Sequence, residues 1–445
     1  MSKASARLRS LGMLAALTVA LPVDAAVLAA ALVRPAARHR PPDLGPERLT
    51  VLVSGGKMTK ALQLARTFHG AGHRVVLVEM EKYRWSGHRF SRAVDVFRTV
   101  PAPDDPAYAE ALEAVVREEG VDVYVPVCSP VASYHDAVAG ERLAGLCRVV
   151  HGAPETIAAL DDKATFTAMA DELGLPVPDS VRVTSAEEVL AALEDPARAA
   201  RVADGARYVL KSIAYDPVHR LDLTPLPRET REQTYVFAAD REVSPDRPWV
   251  VQELMPGPEL CAHTTAVAGR VQAYVCCWSS AFQVNYTHVD VPAVREWVTR
   301  FVGVHGLTGQ YSFDFMLDAA GEPRAIECNP RTHSAITVFR HDDEALAAAY
   351  LERDRPMLEP GPSAPSTYWL AHEVWRLVTG QRTPAEAWRV LTGGVDALLD
   401  PRDPMPFLTV PHVQIASLLL VALRRGTRWI RVDVNIGKLV EAGGD

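Results

Sequence analysis

Residues 310–334 hold the densest set of chemically useful side chains in the sequence, reading Gln-Tyr-Ser-Phe-Asp-Phe-Met-Leu-Asp-Ala-Ala-Gly-Glu-Pro-Arg-Ala-Ile-Glu-Cys-Asn-Pro-Arg-Thr-His-Ser. Phe313, Phe315 and Leu317 alternate with Ser312, Asp314 and Met316, the pattern of a strand with one buried face. Asp318 to Gly321 supply a turn, and Pro323 to Asn329 read as the returning strand. In such a hairpin Asp314 faces Glu327, and Asn329 lies two residues further along the same face. Hard oxygen donors in small number suit Mg2+, with Mn2+ as a substitute; such an ion keeps several waters and takes phosphate oxygens of a nucleotide as further ligands. Arg331 follows with a planar fork for phosphate or carboxylate. A solvated surface hairpin would carry one Asp and one Glu as readily. The aligned Asn and the adjoining Arg point to a site.

The chain that must position these groups has 445 residues, room for two to four domains. Lys and Arg number 47 against 55 Asp and Glu, a net charge of −8, which argues against a general nucleic-acid binder. The six cysteines (Cys128, Cys147, Cys261, Cys276, Cys277, Cys328) form no C-x-x-C and no regular spacing. A reduced, cytosolic compartment without disulfides or a zinc site is expected. Cys276 and Cys277 point to opposite faces of a strand, and Cys328 points away from its ligand-bearing neighbours as a small core residue.

Leu11 to Val33 is almost wholly apolar, interrupted at Pro22 and Asp24 and flanked by Lys3, Arg7 and Arg9 before and Arg34, Arg38 and Arg40 after. Each half spans roughly 16 Å as helix, about one leaflet of a ~30 Å hydrocarbon core. The pattern predicts a helix–break–helix hairpin dipping into the inner leaflet, with Asp24 capping the second half and both ends cytoplasmic. A single span, a signal peptide and a docked core helix are the alternatives. Arg34 to Pro46 reads as a stiff linker closing a first segment, 1–46.

Residues 47–158 open as a βαβ unit: strand Leu49–Val53, loop Ser54-Gly55-Gly56-Lys57, helix Met58–Gly70 and strand Val75–Glu79. The loop fails the P-loop pattern, because Met58 follows Lys57 where Ser or Thr is required. It lies at the carboxyl end of a parallel strand, which makes Ser54, Lys57 and Thr59 candidates for substrate contact. Further on, Ala109–Glu119 reads as helix and Val121–Val127 as strand. Trp85, His88 and Arg89 sit on a loop without an assigned role.

In 159–340, Asp161 is placed to cap a helix carrying Lys163 and ending at Gly174-Leu175-Pro176. Lys211 lies on the polar face of the run Tyr208–Ser212. Residues 213–227 look like a mobile lid, with Arg220 as the hand reaching phosphates. Trp249–Leu254 runs as a strand into Met255-Pro256-Gly257-Pro258-Glu259. Taken in order, these pieces and Glu-x-Asn-Pro-Arg resemble the ATP-grasp superfamily. The resemblance implies an α/β fold with α+β lobes: an ATP-grasp core, an N-terminal βαβ pre-ATP-grasp domain, an N-terminal apolar membrane-associated hairpin and, in 341–445, a helical C-terminal extension. It also implies roles. Lys163 contacts nucleotide phosphate, and Lys211 lies over the α-phosphate and adenine. Backbone groups of Glu253 and Leu254 read the adenine edge, and Glu259 accepts from ribose. Asp314, Glu327 and Asn329 bind the metal.

The stretches 55–66, Leu-Lys-Ser-Ile (210–213), His-Arg-Leu-Asp-Leu-Thr (219–224), Ser-Ser-Ala-Phe-Gln-Val-Asn-Tyr (279–286) and Glu-Cys-Asn-Pro-Arg-Thr-His-Ser-Ala-Ile-Thr (327–337) are similar to the mycosporine-glycine synthase family. That resemblance implies ATP-dependent joining of glycine to 4-deoxygadusol. The γ-phosphoryl group goes to the cyclohexenone oxygen, glycine adds, and phosphate leaves, with Arg331, Lys211 and Arg220 stabilising charge. His333 is a base or an orienter of the enol. Ser279, Ser280, Gln283, Asn285 and Tyr286, with Thr332 and Ser334, are the candidate substrate pocket. A carboxylate–amine ligase working through an acyl phosphate and a membrane-tethered nucleotide-binding scaffold are the competing readings.

Beyond 340 the sequence predicts helices at Leu346–Glu352 and Ala385–Leu391. An apolar run at Ile415–Leu423 precedes Arg424, Arg425, Arg428 and Trp429 and fits either a membrane interface or a core helix.

Overall fold

The computed structural model describes residues 3–38, 40–127, 129, 132–213, 219, 222–279, 285–353 and 355–441. The chain begins with helix α1 (Lys3–Leu32). The expected break at Pro22 does not form: the helix is continuous. Pro22 removes one backbone hydrogen bond, yet the inward-facing residues stay in helical phase across it. Ala6, Ser10, Leu28 and Ala31 are buried, and Met13, Leu14, Leu17 and Val27 pack beside them. Asp24 is no cap; its carboxylate meets His412 Nε2 at 2.8 Å. Arg9 donates to the carbonyls of Trp429 and Ile430 and stacks on the Trp429 ring at 4.4 Å. The opposite face of α1 is apolar and open, with Val19 78% and Val23 64% exposed.

The first α/β layer follows as β1 (Thr50–Val53), α2 (Thr59–Gly70), β2 (Arg74–Met80), β3 (Val96–Val100), α3 (Tyr108–Glu119), β4 (Val123–Val125), α4 (Ala132–Leu143) and β5 (Arg148–Val149). The sheet is parallel in the order β3-β2-β1-β4-β5, as right-handed β-α-β crossovers require. The Ser54–Lys57 loop leaves β1 at its carboxyl end. Gly55 takes φ +70° there, and a Cβ would run into the Val127 carbonyl, so the turn demands glycine.

Helices α5 (Pro154–Asp161) and α6 (Lys163–Glu172) lead into a small antiparallel sheet of β6 (Ser180–Val183), β7 (Tyr208–Ser212) and β8 (Trp249–Glu253), ordered β6-β8-β7. It is flanked by α7 (Ala186–Glu194), α8 (Pro196–Ala203) and α9 (Arg231–Ala239). Asp162, not Asp161, caps α6, accepting from Ala164 and Thr165 N–H. Asp161 is the last residue of α5, so its backbone is helical and Asp162 is the first with the extended conformation a cap requires.

The large sheet is antiparallel, ordered β10-β9-β12-β13, from β9 (Glu259–Val267), β10 (Arg270–Ser279), β12 (Gly309–Leu317) and β13 (Pro323–Asn329). Between them in sequence lie β11 (Asn285–Tyr286) and α10 (Pro292–Val304). One sheet face buries Tyr311, Phe313 and Phe315 against Trp297 and Phe301 of α10 and Phe166 of α6. The other face carries the polar residues. Cys276 and Cys277 enter different cores, as their adjacency on a strand requires.

The carboxyl region is not simply helical. It comprises α11 (Asp343–Leu351), β14 (Ser366–Tyr368), α12 (Leu370–Val378), α13 (Pro384–Gly393), β15 (Gly394–Asp396), α14 (Met405–Thr409), a π-helical turn (410–415), α15 (Ala416–Arg425), β16 (Trp429–Asp433) and β17 (Lys438–Glu441). Trp369, Phe407, Val410, Ile415, Leu419 and Trp429 share one core with Val51, Val53, Leu62, Leu64 and Phe68. This region therefore forms an outer layer over the first α/β unit. Two helical stretches, Lys3–Leu32 and Met405–Arg425, are long and apolar enough to cross a membrane.

Candidate active site

The β12–β13 register pairs Asp314 with Glu327 and Ser312 with Asn329. Asn329 Nδ2 donates to Asp314 Oδ2 at 2.9 Å and to Glu327 Oε1 at 3.2 Å, and its Oδ1 accepts from Arg331. Arg331 also reaches Asp161 at 3.5 Å. Lys163, at the start of α6, lies 3.3 Å from Glu327 Oε2. Lys211 projects from β7; burial lowers its pKa, and Glu327 opposes that most.

The two carboxyls are unlike. Burial, and then the adjacent Glu327, push Asp314 well above the usual carboxylate range. Burial also opposes ionisation of Glu327, but Lys163, Lys211 and the hydrogen bonds from Asp314 and Asn329 hold it below its ordinary value. The hairpin thus carries one charge more comfortably than two, and a divalent cation would remove the conflict. The donor set is two carboxylates and an amide; among the described residues no three His, Cys, Asp or Glu gather into a metal cluster. That set fits a hard, partly hydrated ion such as Mg2+.

Glu259 opens β9 and accepts from Ser279 Oγ at 2.6 Å, so Ser279 orients Glu259. At the hinge, where backbone groups near Glu253 and Leu254 are expected to read adenine, the two N–H groups are engaged within the protein. Glu253 N–H donates to Asp179 O and Leu254 N–H to Arg207 O, and the Glu253 carboxylate turns to Arg201 at 3.5 Å. Both amides are spent on holding β8. The next amide, Met255, has no hydrogen-bond partner among the described residues, and a Cβ on Gly257 would strike the Leu317 carbonyl.

Arg220, Ser280 and Gln283 lie outside the described residues. The described end of the expected lid is fixed: Asp222 pairs with Arg241, and Leu226 exchanges backbone hydrogen bonds with Tyr208.

Thr332, His333 and Ser334 leave the hairpin toward the first domain. Thr332 is buried and donates to Gln310 Oε1 at 2.7 Å, a packing role. Ser334 bonds to Asn435 at 3.0 Å. His333 meets Tyr286 edge-on at 5.3 Å. Burial, with Lys60 and Arg331 adding repulsion, lowers its pKa to about 3. Its Nδ1 accepts from Ala335 N–H at 3.3 Å, so the neutral ring keeps its proton on Nε2. This geometry leaves His333 a donor and orienter rather than a base. Asn285 pairs with Tyr368 in the outer sheet.

At the carboxyl rim of the parallel sheet lies a small cavity of about 30 Å³ lined by Ser54, Lys57, Glu79, Tyr108, Ser129 and Asp136. Lys57 lies 3.8 Å from Glu79 and 4.0 Å over the Tyr83 ring. Thr59 does not line the cavity; its hydroxyl accepts from Trp369 Nε1. His88 is buried and donates to Gly56 O at 2.9 Å, bracing the loop. Lys60, not singled out by the sequence reading, spans the two domains: its ammonium donates to Thr332 O at 2.5 Å. Ser133 does the same to Pro330 O at 2.6 Å. The signal for Lys60 was its place in the first turn of α2, three residues after Lys57 of the preceding loop, which alone reads as a solvated face.

No family model matches the sequence, and no curated relative matches it. Solved structures do. The N5-carboxyaminoimidazole synthetase of Staphylococcus aureus, complexed with ADP, aligns with TM-score 0.53 at 14% identity, covering 72% of this chain and 80% of that one. A biotin carboxylase–β,γ-ATP complex from Campylobacter jejuni aligns with TM-score 0.54 at 15% identity, covering 69% of this chain and 72% of that one. An ADP complex of N5-carboxyaminoimidazole ribonucleotide synthetase aligns with TM-score 0.54 at 15% identity over 76% and 86%. At these identities the likeness concerns the fold, and the fold is ATP-grasp.

Proposed function

We propose that this chain is an ATP-dependent carbon–nitrogen ligase that joins glycine to 4-deoxygadusol, giving mycosporine-glycine, ADP and phosphate. The observation carrying the reading is the hairpin in which Asp314, Glu327 and Asn329 converge between Lys163, Lys211 and Arg331. A Mg2+ ion held by Asp314, Glu327 and Asn329 would neutralise triphosphate charge. Lys163 and Lys211 bind phosphate oxygens, Glu259 takes the ribose, and the Met255 amide reads adenine. Arg331 faces the transferring phosphoryl group, where charge develops. The enol oxygen on the cyclohexenone of 4-deoxygadusol takes the γ-phosphoryl group and so becomes part of a phosphate, a far better leaving group, before the amine arrives. The substrate assignment draws on the similar stretches 55–66, 279–286 and 327–337.

The test is ADP release by the purified chain with Mg-ATP, 4-deoxygadusol and glycine, the product followed by mass. Turnover that needs all three and yields the glycine adduct supports the reading. ADP formed with a carboxylate in place of 4-deoxygadusol, with oxygen-18 passing from that carboxylate to phosphate, would establish acyl-phosphate chemistry instead.

We also propose that α1 and α15 hold the protein on the inner face of the cell membrane. The reading is supported by the open apolar face of α1, by the exposed Leu420 and Val421 of α15, which packs against α1, and by the flanking Lys3, Arg7, Arg424 and Arg425. In flotation with vesicles containing anionic lipid, the full chain should rise with the lipid. The double substitution Val19→Glu with Val23→Glu should remain below at least 80% unbound (about 2.5–3.5 kcal/mol opposes each buried charge) while ATP turnover persists. Equal flotation of both would show that this face does not meet lipid.

A further inference from the structure

On the ligand-bearing face of the large sheet, β9 places His263 directly opposite Ser312 of β12, and Ser312 is in turn opposite Asn329 of β13. Both residues are almost wholly buried, His263 at 0% and Ser312 at 1% exposure. His263 Nδ1 accepts the His333 backbone N–H at 3.4 Å, which puts the ring proton on Nε2. Burial, with His333 and Lys60 adding repulsion, holds the ring neutral. His263 Nε2 and Ser312 Oγ have no hydrogen-bond partner among the described residues. A buried donor without an acceptor is destabilising, and here two such groups face each other across one strand pair. They stand one sheet position from Asp314, with Arg331 beyond Asn329 and Lys60 beyond His333.

We propose that His263 Nε2–H and Ser312 Oγ–H form the seat for the acceptor oxyanion, enolate or carboxylate, that receives the γ-phosphoryl group. The inference rests on the ligase reading above and adds two binding residues to it. In the phosphoryl step the seated oxygen forms the new O–P bond as the bond from the γ-phosphorus to the bridging oxygen breaks, and ADP departs with that electron pair. The acceptor arrives already ionised, so no proton moves to the protein. The amine nitrogen then adds to the carbon bearing phosphate, the C–O bond breaks, phosphate leaves, and the surplus ammonium proton passes to solvent. His263 keeps its proton throughout and serves as a fixed donor, strengthened by a site that excludes water. A donor aimed at the oxygen discriminates for a ligand that carries one, because a buried unpaired N–H penalises any other guest.

The experiment compares the full-length chain with His263→Leu, His263→Gln and Ser312→Ala. Kinetics are measured with 4-deoxygadusol and glycine, and binding by calorimetry with Mg-ADP alone and with 4-deoxygadusol added to the Mg-ADP complex. His263→Leu should lower kcat/KM for the acceptor about 100-fold and Ser312→Ala about 10-fold. Mg-ADP affinity and the KM for ATP should stay within twofold. His263→Gln, which restores an N–H near the Nε2 position, should recover most of the loss. Mg-ADP binding that weakens in parallel, or acceptor kcat/KM within twofold of wild type in both His263→Leu and Ser312→Ala, would overturn the proposal. Ser312→Ala removes one oxygen and keeps the test alive if the histidine variants fold poorly. If the wild type turns over a carboxylate instead, the same comparison with that carboxylate decides the seat while the substrate reading alone fails. If wild type binds neither acceptor in the presence of Mg-ADP, both fall.

Discussion

Glu327→Gln and Asp314→Asn should each lower kcat by about 10³-fold or more, yet move the stability of the metal-free protein in opposite directions. Asp314 is held toward its neutral form by burial and by Glu327, so an amide of the same shape replaces a group whose charge the site already disfavours. It can still accept from Asn329 and donate to Glu327, and the melting temperature should hold or rise. Glu327 carries the charge that Lys163 meets at 3.3 Å and that Lys211 faces. Its removal leaves a buried ammonium without a counter-charge and should cost about 1–3 kcal/mol. Thermal melts in EDTA check this. Added Mg2+ and ADP should then raise the wild-type melting temperature and leave both variants behind. Equal destabilisation by the two substitutions would mean that the carboxyls share their charge evenly and that the hairpin is not organised as described.

The same pair sets a pH signature whose sign differs from that of an ordinary surface ion pair. The folded-state pKa of Glu327 is depressed. Its contribution is therefore present above the unfolded carboxylate pKa and is lost as pH falls through the folded one. The folded-state pKa of Asp314 is raised; ionised, it destabilises at high pH, and protonation on acidification relieves that. Mild acidification of the metal-free protein should therefore remove a penalty before it removes a stabilisation, and Asp314→Asn should flatten the first limb alone.

What the sequence made legible followed from local geometry. The alternation of Phe313, Phe315 and Leu317 with Ser312, Asp314 and Met316 sets which side chains share a face, so Asp314 opposite Glu327 could be read from spacing alone. The βαβ opening was equally plain, because parallel strands and their crossover helix each carry a period. Long-range partners have no such period. Pro22 looked like a break because proline opposes helix interiors; the inward stripe from Ala6 to Ala31 that overrides it is visible only once α1 meets His412 and Trp429. That the N–H groups of Glu253 and Leu254 are bonded could not be read from the sequence, because their acceptors, Asp179 O and Arg207 O, lie far back in the chain. His263 gave no signal, since a lone histidine in a β-run is usually core.

Truncation after residue 340 should leave little soluble protein, although every residue of the proposed nucleotide site lies before that point. The reason is α2. Residues Thr59 to Phe68 are buried without interruption, so its polar side does not face water. Arg66, 6% exposed, pairs with Asp403 at 2.8 Å and donates to the carbonyls of Ala397, Leu398 and Asp403. Gln414 holds Lys57 O and Gly437 O with one end and Gly87 N–H with the other. Asn435 O accepts Thr59 N–H. Removing this layer would expose Leu62 and Phe68, strip a buried guanidinium of its partners and release the loop that carries Lys57. Soluble yield of a 1–340 fragment should fall at least tenfold, and no cooperative melt should be seen. The point substitution Asp403→Ala isolates the charge component. It leaves Arg66 buried and also robs Ser91 Oγ and Arg92 N–H of their acceptor; it should cost about 3–5 kcal/mol. A folded, Mg-ADP-binding 1–340 fragment would show instead that the outer layer is dispensable, and that the first α/β unit tolerates an exposed α2.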